Sequence, residues 1–155
     1  MTHFKQPVSV LVVVYTGELD VLLLERADHH GYWQSVTGSC EPGELLRDTA
    51  MREVSEETGL NASQHVLTDW HIENNYEIYQ HWRHRYSPGV THNTEHVFGL
   101  QLPQSAPVQI TSREHLSYQW LPWQDAANRV FSPSNREAIL RLGDLDKAIR
   151  EYRDE

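Results

Sequence analysis

Cysteine is almost missing from this chain. Cys40 is the only one among 155 residues, so no internal disulfide can form, and the chain suits a reducing compartment such as the cytoplasm. A thiol nucleophile is not expected either; Cys40 reads as a small filler residue. Positive charge is also short. Lys and Arg number 13 against 22 Asp and Glu, a net charge of −9 with His neutral. That balance disfavours a general binder of nucleic acid or of anionic membrane. An anionic substrate must then be met by local cations or by bound metal. Long apolar runs are missing as well. The run Val8–Tyr15 is far too short to span a bilayer, and the opening MTHFKQP lacks the basic-then-apolar order of a signal peptide. There is no internal repeat, low-complexity tract or linker. With 39% apolar and 10% aromatic residues, residues 1–155 are expected to form one mixed α/β domain with a full core.

What the chain does have is concentrated between Gly38 and Leu60, in GSCEPGELLRDTAMREVSEETGL. Leu46, Ala50 and Val54 recur every four residues, the apolar stripe of a helix. Gly59 stands where such a helix would stop in a left-handed cap. On that helix Glu53, Glu56 and Glu57 occupy i, i+3 and i+4, so they project close together. Neighbouring carboxylates repel, and Arg52 is the sole base beside them. Clustered hard oxygens are what Mg²⁺ or Mn²⁺ requires, and such an ion also binds polyphosphate. An acidic solvated face is the plain alternative for three Glu alone. The Gly-rich loop before the helix and the placement of Arg52 weigh against it.

Gly38-x5-Glu44-x7-Arg52-Glu53-Val54-x-Glu56-Glu57-x-Gly59-Leu60 resembles the complete Nudix box, residues 38–60. The resemblance implies an α/β/α sandwich with a mixed β-sheet. It also implies hydrolysis of a nucleoside diphosphate linked to another group, with Mg²⁺ or Mn²⁺ as cofactor. By that resemblance Glu53, Glu56 and Glu57 are metal ligands, with one of them a candidate base. Arg52 would orient the glutamates, and Glu44 would tie loop to helix. Further stretches, among them Trp33–Ser39, Arg83–Thr91, Asn93-Thr-Glu95, Glu114–Tyr118 and Ser134-Asn-Arg136, resemble a bacterial branch of the family. That branch cleaves dihydroneopterin triphosphate, of folate biosynthesis, to the monophosphate and pyrophosphate. Carried over, this makes Glu114 a fourth metal ligand. It makes Lys5, Arg26, Thr37, the Tyr76-Glu77-Ile78-Tyr79 strand and Ser132 substrate contacts.

Taken in order, Pro7–Tyr15 reads as a buried strand rich in β-branched residues. Thr16–Asp20 is a turn and Val21–Glu25 its hairpin partner. Trp33–Val36 is a short strand leading into the box. Val66–Trp70 and His71–Tyr79 form one bent strand or two. The basic-aromatic run His81–Tyr86 is either a phosphate patch or a loop rich in hydrogen bonds. Glu95–Leu102 and Tyr118–Leu121 read as strands, and Trp123–Val130 as a helix. Ser134-Asn-Arg-Glu137 is a capping box, opening a C-terminal helix over about 134–152 that Gly143 can bend. The tail Glu151–Glu155 is charged and expected to fray.

Lys5 and Arg26 are local cations for a triphosphate, since Arg can grip phosphate oxygens in a bidentate fashion. Each taken singly reads as a surface charge. Tyr76 and Tyr79 lie three apart, so on a strand they face opposite ways; one would stack on a flat heterocycle. Two other functions fit the same motifs: a sanitiser of deoxynucleoside triphosphates, such as dATP or oxidised dGTP, and a non-catalytic ligand sensor. The full Arg52-Glu53…Glu56-Glu57 set argues against the sensor. The sequence leaves the oligomeric state open.

Overall fold

Strand β1, Val8–Thr16, lies at the centre of the computed structural model, which describes residues 3–153. Its residues alternate between two cores. Val10, Val12 and Val14 belong to one apolar cluster with Ala50 and Val54. Leu11, Val13 and Tyr15 belong to another with Ala126, Ala127, Ala138 and Ile139. A strand buried on both faces needs apolar residues at successive positions, which is why this run shows no polar alternation.

The other elements follow in chain order: β2 Asp20–Arg26, β3 Trp33–Gln34, β4 Val36–Ser39, α1 Leu46–Thr58, β5 Val66–Glu77, β6 His92–Leu102, β7 His115–Pro122, α2 Trp123–Arg129, α3 Pro133–Leu140 and α4 Leu142–Arg153. The strands make one seven-stranded mixed sheet in the order β3-β2-β1-β6-β5, with β4 also on β1 and β7 also on β2. The β1–β6 pair is parallel from Val8↔Thr94 to Thr16↔Leu102; the other pairs are antiparallel. Helix α1 covers the face carrying Val10, and α2 with α3 covers the opposite face. This is the expected α/β/α sandwich.

The hairpin read for β1 and β2 exists only at its turn. The two strands are in register at Tyr15↔Val21, and β4 then takes β1 from Ser9 to Val12. β1 and β2 therefore diverge, with β4 paired to β1 and β3 to β2 beyond the turn.

Several local readings change. β5 is one strand with an irregularity between Asp69 and Ile72, where His71 takes φ 56°; Asp69 Oδ1 accepts the His71 amide at 2.8 Å and holds the bend. β5 ends at Glu77, so Ile78 and Tyr79 are not strand residues. Tyr79 instead precedes a 3₁₀ helix over Gln80–Arg85, which is the form the basic-aromatic run takes. The short strand expected at Trp33–Val36 is split into β3 and β4. The C-terminal helix expected at about 134–152 is two helices. Its cap is Ser132, whose side chain accepts the Asn135 amide, with Pro133 in the first turn. The helix breaks at Arg141, whose amide reaches the Ala138 carbonyl three residues back. Asp154 and Glu155 of the charged tail, like Met1 and Thr2, lie outside the described residues. No helix among the described residues is long and apolar enough to cross a membrane.

Candidate active site

Helix α1 presents the acids. Its apolar stripe, Leu46, Ala50 and Val54, seats it on the sheet, and Gly59 ends it at φ 74° with its amide on the Ser55 carbonyl. Glu53 lies directly on Gly38 of β4: a Cβ at position 38 would stand 2.1 Å from the Glu53 carboxyl carbon. Only glycine lets this carboxylate occupy that space. Glu57, one turn on, is 2% exposed. Neither of its oxygens has a hydrogen-bond partner.

An unpaired buried carboxylate is costly. Burial and the neighbouring Glu53 and Glu114 charges push the Glu57 pKa well up. Glu53 is raised too, chiefly by burial. A hard divalent cation is the ligand that would satisfy such orphaned oxygens, so the residues fit the metal the box implies. Among the described residues no finished cage of three His, Cys, Asp or Glu side chains is drawn together. Arg52 engages one oxygen each of Glu53 (2.8 Å) and Glu56 (3.3 Å).

Arg52 is itself fixed. Its Nε and Nη2 donate to Glu44 Oε2 and Oε1, both at 2.9 Å, and Nη2 also donates to the Ser39 carbonyl at 3.0 Å. Glu44 accepts Thr49 Oγ1 at 2.6 Å and the Glu41 amide at 3.1 Å. The Arg52 bonds, with those from Thr49 and Glu41, pull the Glu44 pKa down to about 2. One bidentate pair thus ties the loop, β4 and α1 together.

Opposite α1, the loop before β7 brings exposed Glu114 close enough for its charge to act on Glu57. The next residue, His115, is 3% exposed, with Nε2 3.5 Å from Glu57 Oε1. Burial and the Arg26 charge lower its pKa to about 4, so the ring is neutral at pH 7. Sequence reasoning passed over His115, because the ten His of the chain show no spacing that singles it out.

These groups form one end of a cleft of about 1460 Å³. Lys5, Arg26, Thr37, Tyr76, Glu77, Ile78, Tyr79, Ser132 and Glu114 line it together with Arg52, Glu53, Glu56 and Glu57. Every metal-ligand and substrate-contact residue picked from the sequence is therefore brought to one cavity, but their states differ. Arg26 is not a free cation. Its Nε and Nη2 hold Asp28 at 2.7 Å each, its Nη1 holds Gln34 at 3.0 Å, and Arg85 joins Asp28 at 3.0 Å. Two arginines on one aspartate still leave net positive charge. Lys5 adds to it, its pKa drawn down by partial burial and by Arg85 and Arg26.

Thr37 Oγ1 donates to the Val10 carbonyl at 3.0 Å, and Ser132 is engaged as the cap of α3. Glu77 is paired with Arg83 at the rim. Tyr76 is 39% exposed, and its hydroxyl accepts Asn93 Nδ2 at 3.0 Å. Burial and the nearby Glu95 raise that hydroxyl's pKa to about 12. An aromatic wall missed in the sequence stands beside it: Phe131 stacks on Tyr32 at 4.4 Å, and Arg26 lies 4.5 Å over the Trp82 ring. These residues meet only through the tertiary fold.

The cleft thus has a carboxylate end, a cationic middle and an aromatic wall, and the model of the NUDIX domain family matches residues 5–142 of the chain that builds it. The chain belongs to the Nudix hydrolase family. Among its relatives, the dihydroneopterin triphosphate diphosphatase of Escherichia coli K12 is 49% identical over 139 residues, 88% of this chain and 91% of that one. The enzyme of that name from Haemophilus influenzae is 38% identical over 142 residues, covering 90% and 89%. The solved E. coli dihydroneopterin triphosphate pyrophosphohydrolase superposes with a TM-score of 0.84 at 48% identity, covering 89% of this chain and 95% of that one.

Proposed function

We propose that this chain hydrolyses dihydroneopterin triphosphate to dihydroneopterin monophosphate and pyrophosphate, with a divalent cation, Mg²⁺ or Mn²⁺, as cofactor. The observation that carries the reading is the buried, unpartnered Glu57 carboxylate facing a cleft whose other end is aromatic. The relatives named above supply the substrate. Glu53, Glu56, Glu57 and Glu114 would hold the metal. What such an ion contributes when bound is neutralisation of phosphate oxygens and a more acidic water. Arg52, locked on Glu44, sets the direction of Glu53 and Glu56. Lys5 and the Arg26–Asp28–Arg85 group give the triphosphate a positive lining. A carboxylate of the set that is not engaged by metal takes the proton from the attacking water. Tyr76, Tyr79 and Phe131 offer faces for a flat ring.

The net charge of −9 and the lone Cys40 favour a cytoplasmic enzyme of small anions over a nucleic-acid binder. The test is phosphorus NMR of the products in Mg²⁺ and in EDTA. Monophosphate with pyrophosphate in Mg²⁺, and no turnover in EDTA, is the expected result. Undiminished turnover after exhaustive chelation would remove the metal from the mechanism.

A further inference from the structure

The cleft contains a second polar group of residues, on the sheet face opposite α1 and away from the metal-ligand set. Register places Ser39 of β4, Ser9 of β1, Glu95 of β6 and Asn74 of β5 in one row across four strands. Residues directly opposite one another on neighbouring strands share a face, so these side chains lie side by side. The next row toward the cleft mouth holds Asn93 and Tyr76. The row behind is Leu11, Val97 and Ile72, which is ordinary core. The apolar face thus turns polar where it becomes cleft wall, and the residues concerned all line the cavity.

Their hydrogen bonding is incomplete. Glu95 is 4% exposed; Asn74 Nδ2 stands 3.4 Å from it, and the Ser134 hydroxyl is a second neighbour that favours its charged form. Asn93 is 1% exposed and spends Nδ2 on Ser9 (2.7 Å) and Tyr76 (3.0 Å). Its Oδ1 is buried with no partner at all. A buried acceptor with no donor, beside a buried carboxylate held by only two neutral side chains, is what a ligand edge rich in N–H groups would complete. Burial raises the Glu95 pKa, which is the cost that such donors offset.

We propose that Glu95 and Asn93 read the heterocycle: the Glu95 carboxylate accepts the paired N–H groups of a 2-amino-4-oxopyrimidine edge, and Asn93 Oδ1 accepts a further ring N–H. This rests on the pterin triphosphate reading given above and adds the residues that select the ring. The geometry is consistent. Arg52 Nη2 donates to the Ser39 carbonyl at the β4 end of the row. Glu95 and Ser39 are two strand spacings apart, about 10 Å. An extended side chain can bridge from a ring at Glu95 to phosphates near α1. Tyr76, hydrogen-bonded to Asn93, stands next to the slot and is 39% exposed. The edge in question is shared by pterin and guanine. Adenine has a bare ring nitrogen in its place, an acceptor that would face the carboxylate.

The test is steady-state kinetics of the full chain with dihydroneopterin triphosphate, dGTP, dITP and dATP, for the unaltered protein and for Glu95→Gln. In the unaltered chain KM should rise in the order dGTP, dITP, dATP, since dITP lacks the amino group. Glu95→Gln should raise KM for the pterin substrate and dGTP by roughly 10- to 100-fold, as for loss of a charged hydrogen bond. It should leave kcat within a few-fold and leave KM for dATP unchanged or lower. A circular-dichroism melt establishes that the variant is folded; the order of KM values in the unaltered chain tests the same point without a variant. Equal KM shifts for dGTP and dATP, or no preference between them in the unaltered chain, overturns the inference. Should the pterin triphosphate prove a poor substrate while dGTP keeps its dependence on Glu95, the ring-edge assignment stands and the substrate reading falls.

Discussion

Glu57 is the most deeply buried of the four candidate ligand glutamates. A carboxylate that is 2% exposed with both oxygens unpaired costs the metal-free protein stability, and in the proposed mechanism it would supply a hard ligand to the metal. Glu57→Gln should therefore separate the two effects. Turnover should fall by roughly 10²- to 10⁴-fold, while the metal-free protein should melt about 2–6 °C higher at pH 8. The sign follows from linkage. A carboxyl whose folded pKa is raised lets the folded state hold a proton that the unfolded chain releases near 4.5. Stability in EDTA thus falls as pH rises above about 4.5. The variant should flatten that fall. Thermal melts against pH in EDTA, beside turnover in saturating Mg²⁺, read both; equal turnover would take Glu57 out of the site. The glutamates themselves were legible in the sequence, since helical spacing puts them on one face. Asn93 and His115 were not. Nothing in their neighbours along the chain signals that both are buried with unpartnered atoms.

At the scale of elements, the loop-helix unit stands on the Glu44–Arg52 pair. Glu44 is held ionised down to about pH 2, first by Arg52. Its contribution to stability is complete above the ordinary carboxylate value of 4.5 and is lost as pH falls from there through 2. Glu44→Gln should weaken that acid limb and, by freeing Arg52, lower activity at pH 7; an unchanged acid unfolding midpoint would contradict the role. This unit was readable because its signals are local: an apolar residue every four positions and a glycine at the cap. Strand β1 was readable for the same reason, from a β-branched run. The elements that departed from expectation depend on distant partners. β5 bends at His71 where it must stay on β6. Tyr79 leaves the strand because its neighbours wind into a 3₁₀ turn. The C-terminal helix divides at Arg141, two residues before Gly143, where a Cβ would stand 2.9 Å from the Trp123 ring. The polar row Ser39–Ser9–Glu95–Asn74 exists only through register across four strands, which no window of sequence displays.

The molecule as a whole is a sandwich split by one cleft. One cavity is lined by the α1 carboxylates, by the polar row of the opposite sheet face and by the aromatic wall. On the proposed reading the metal end and the cations would grip any triphosphate, supplying affinity without choosing a ring. Choice belongs to the far end, and a site that hydrogen-bonds its substrate rejects analogues that leave those groups unpaired. The most direct measurement is kcat/KM by pyrophosphate release, in Mg²⁺, for dihydroneopterin triphosphate against dATP on the same preparation. A preference for the pterin of roughly 10²-fold or more is expected; a dATP value equal to or above the pterin value would contradict the assignment.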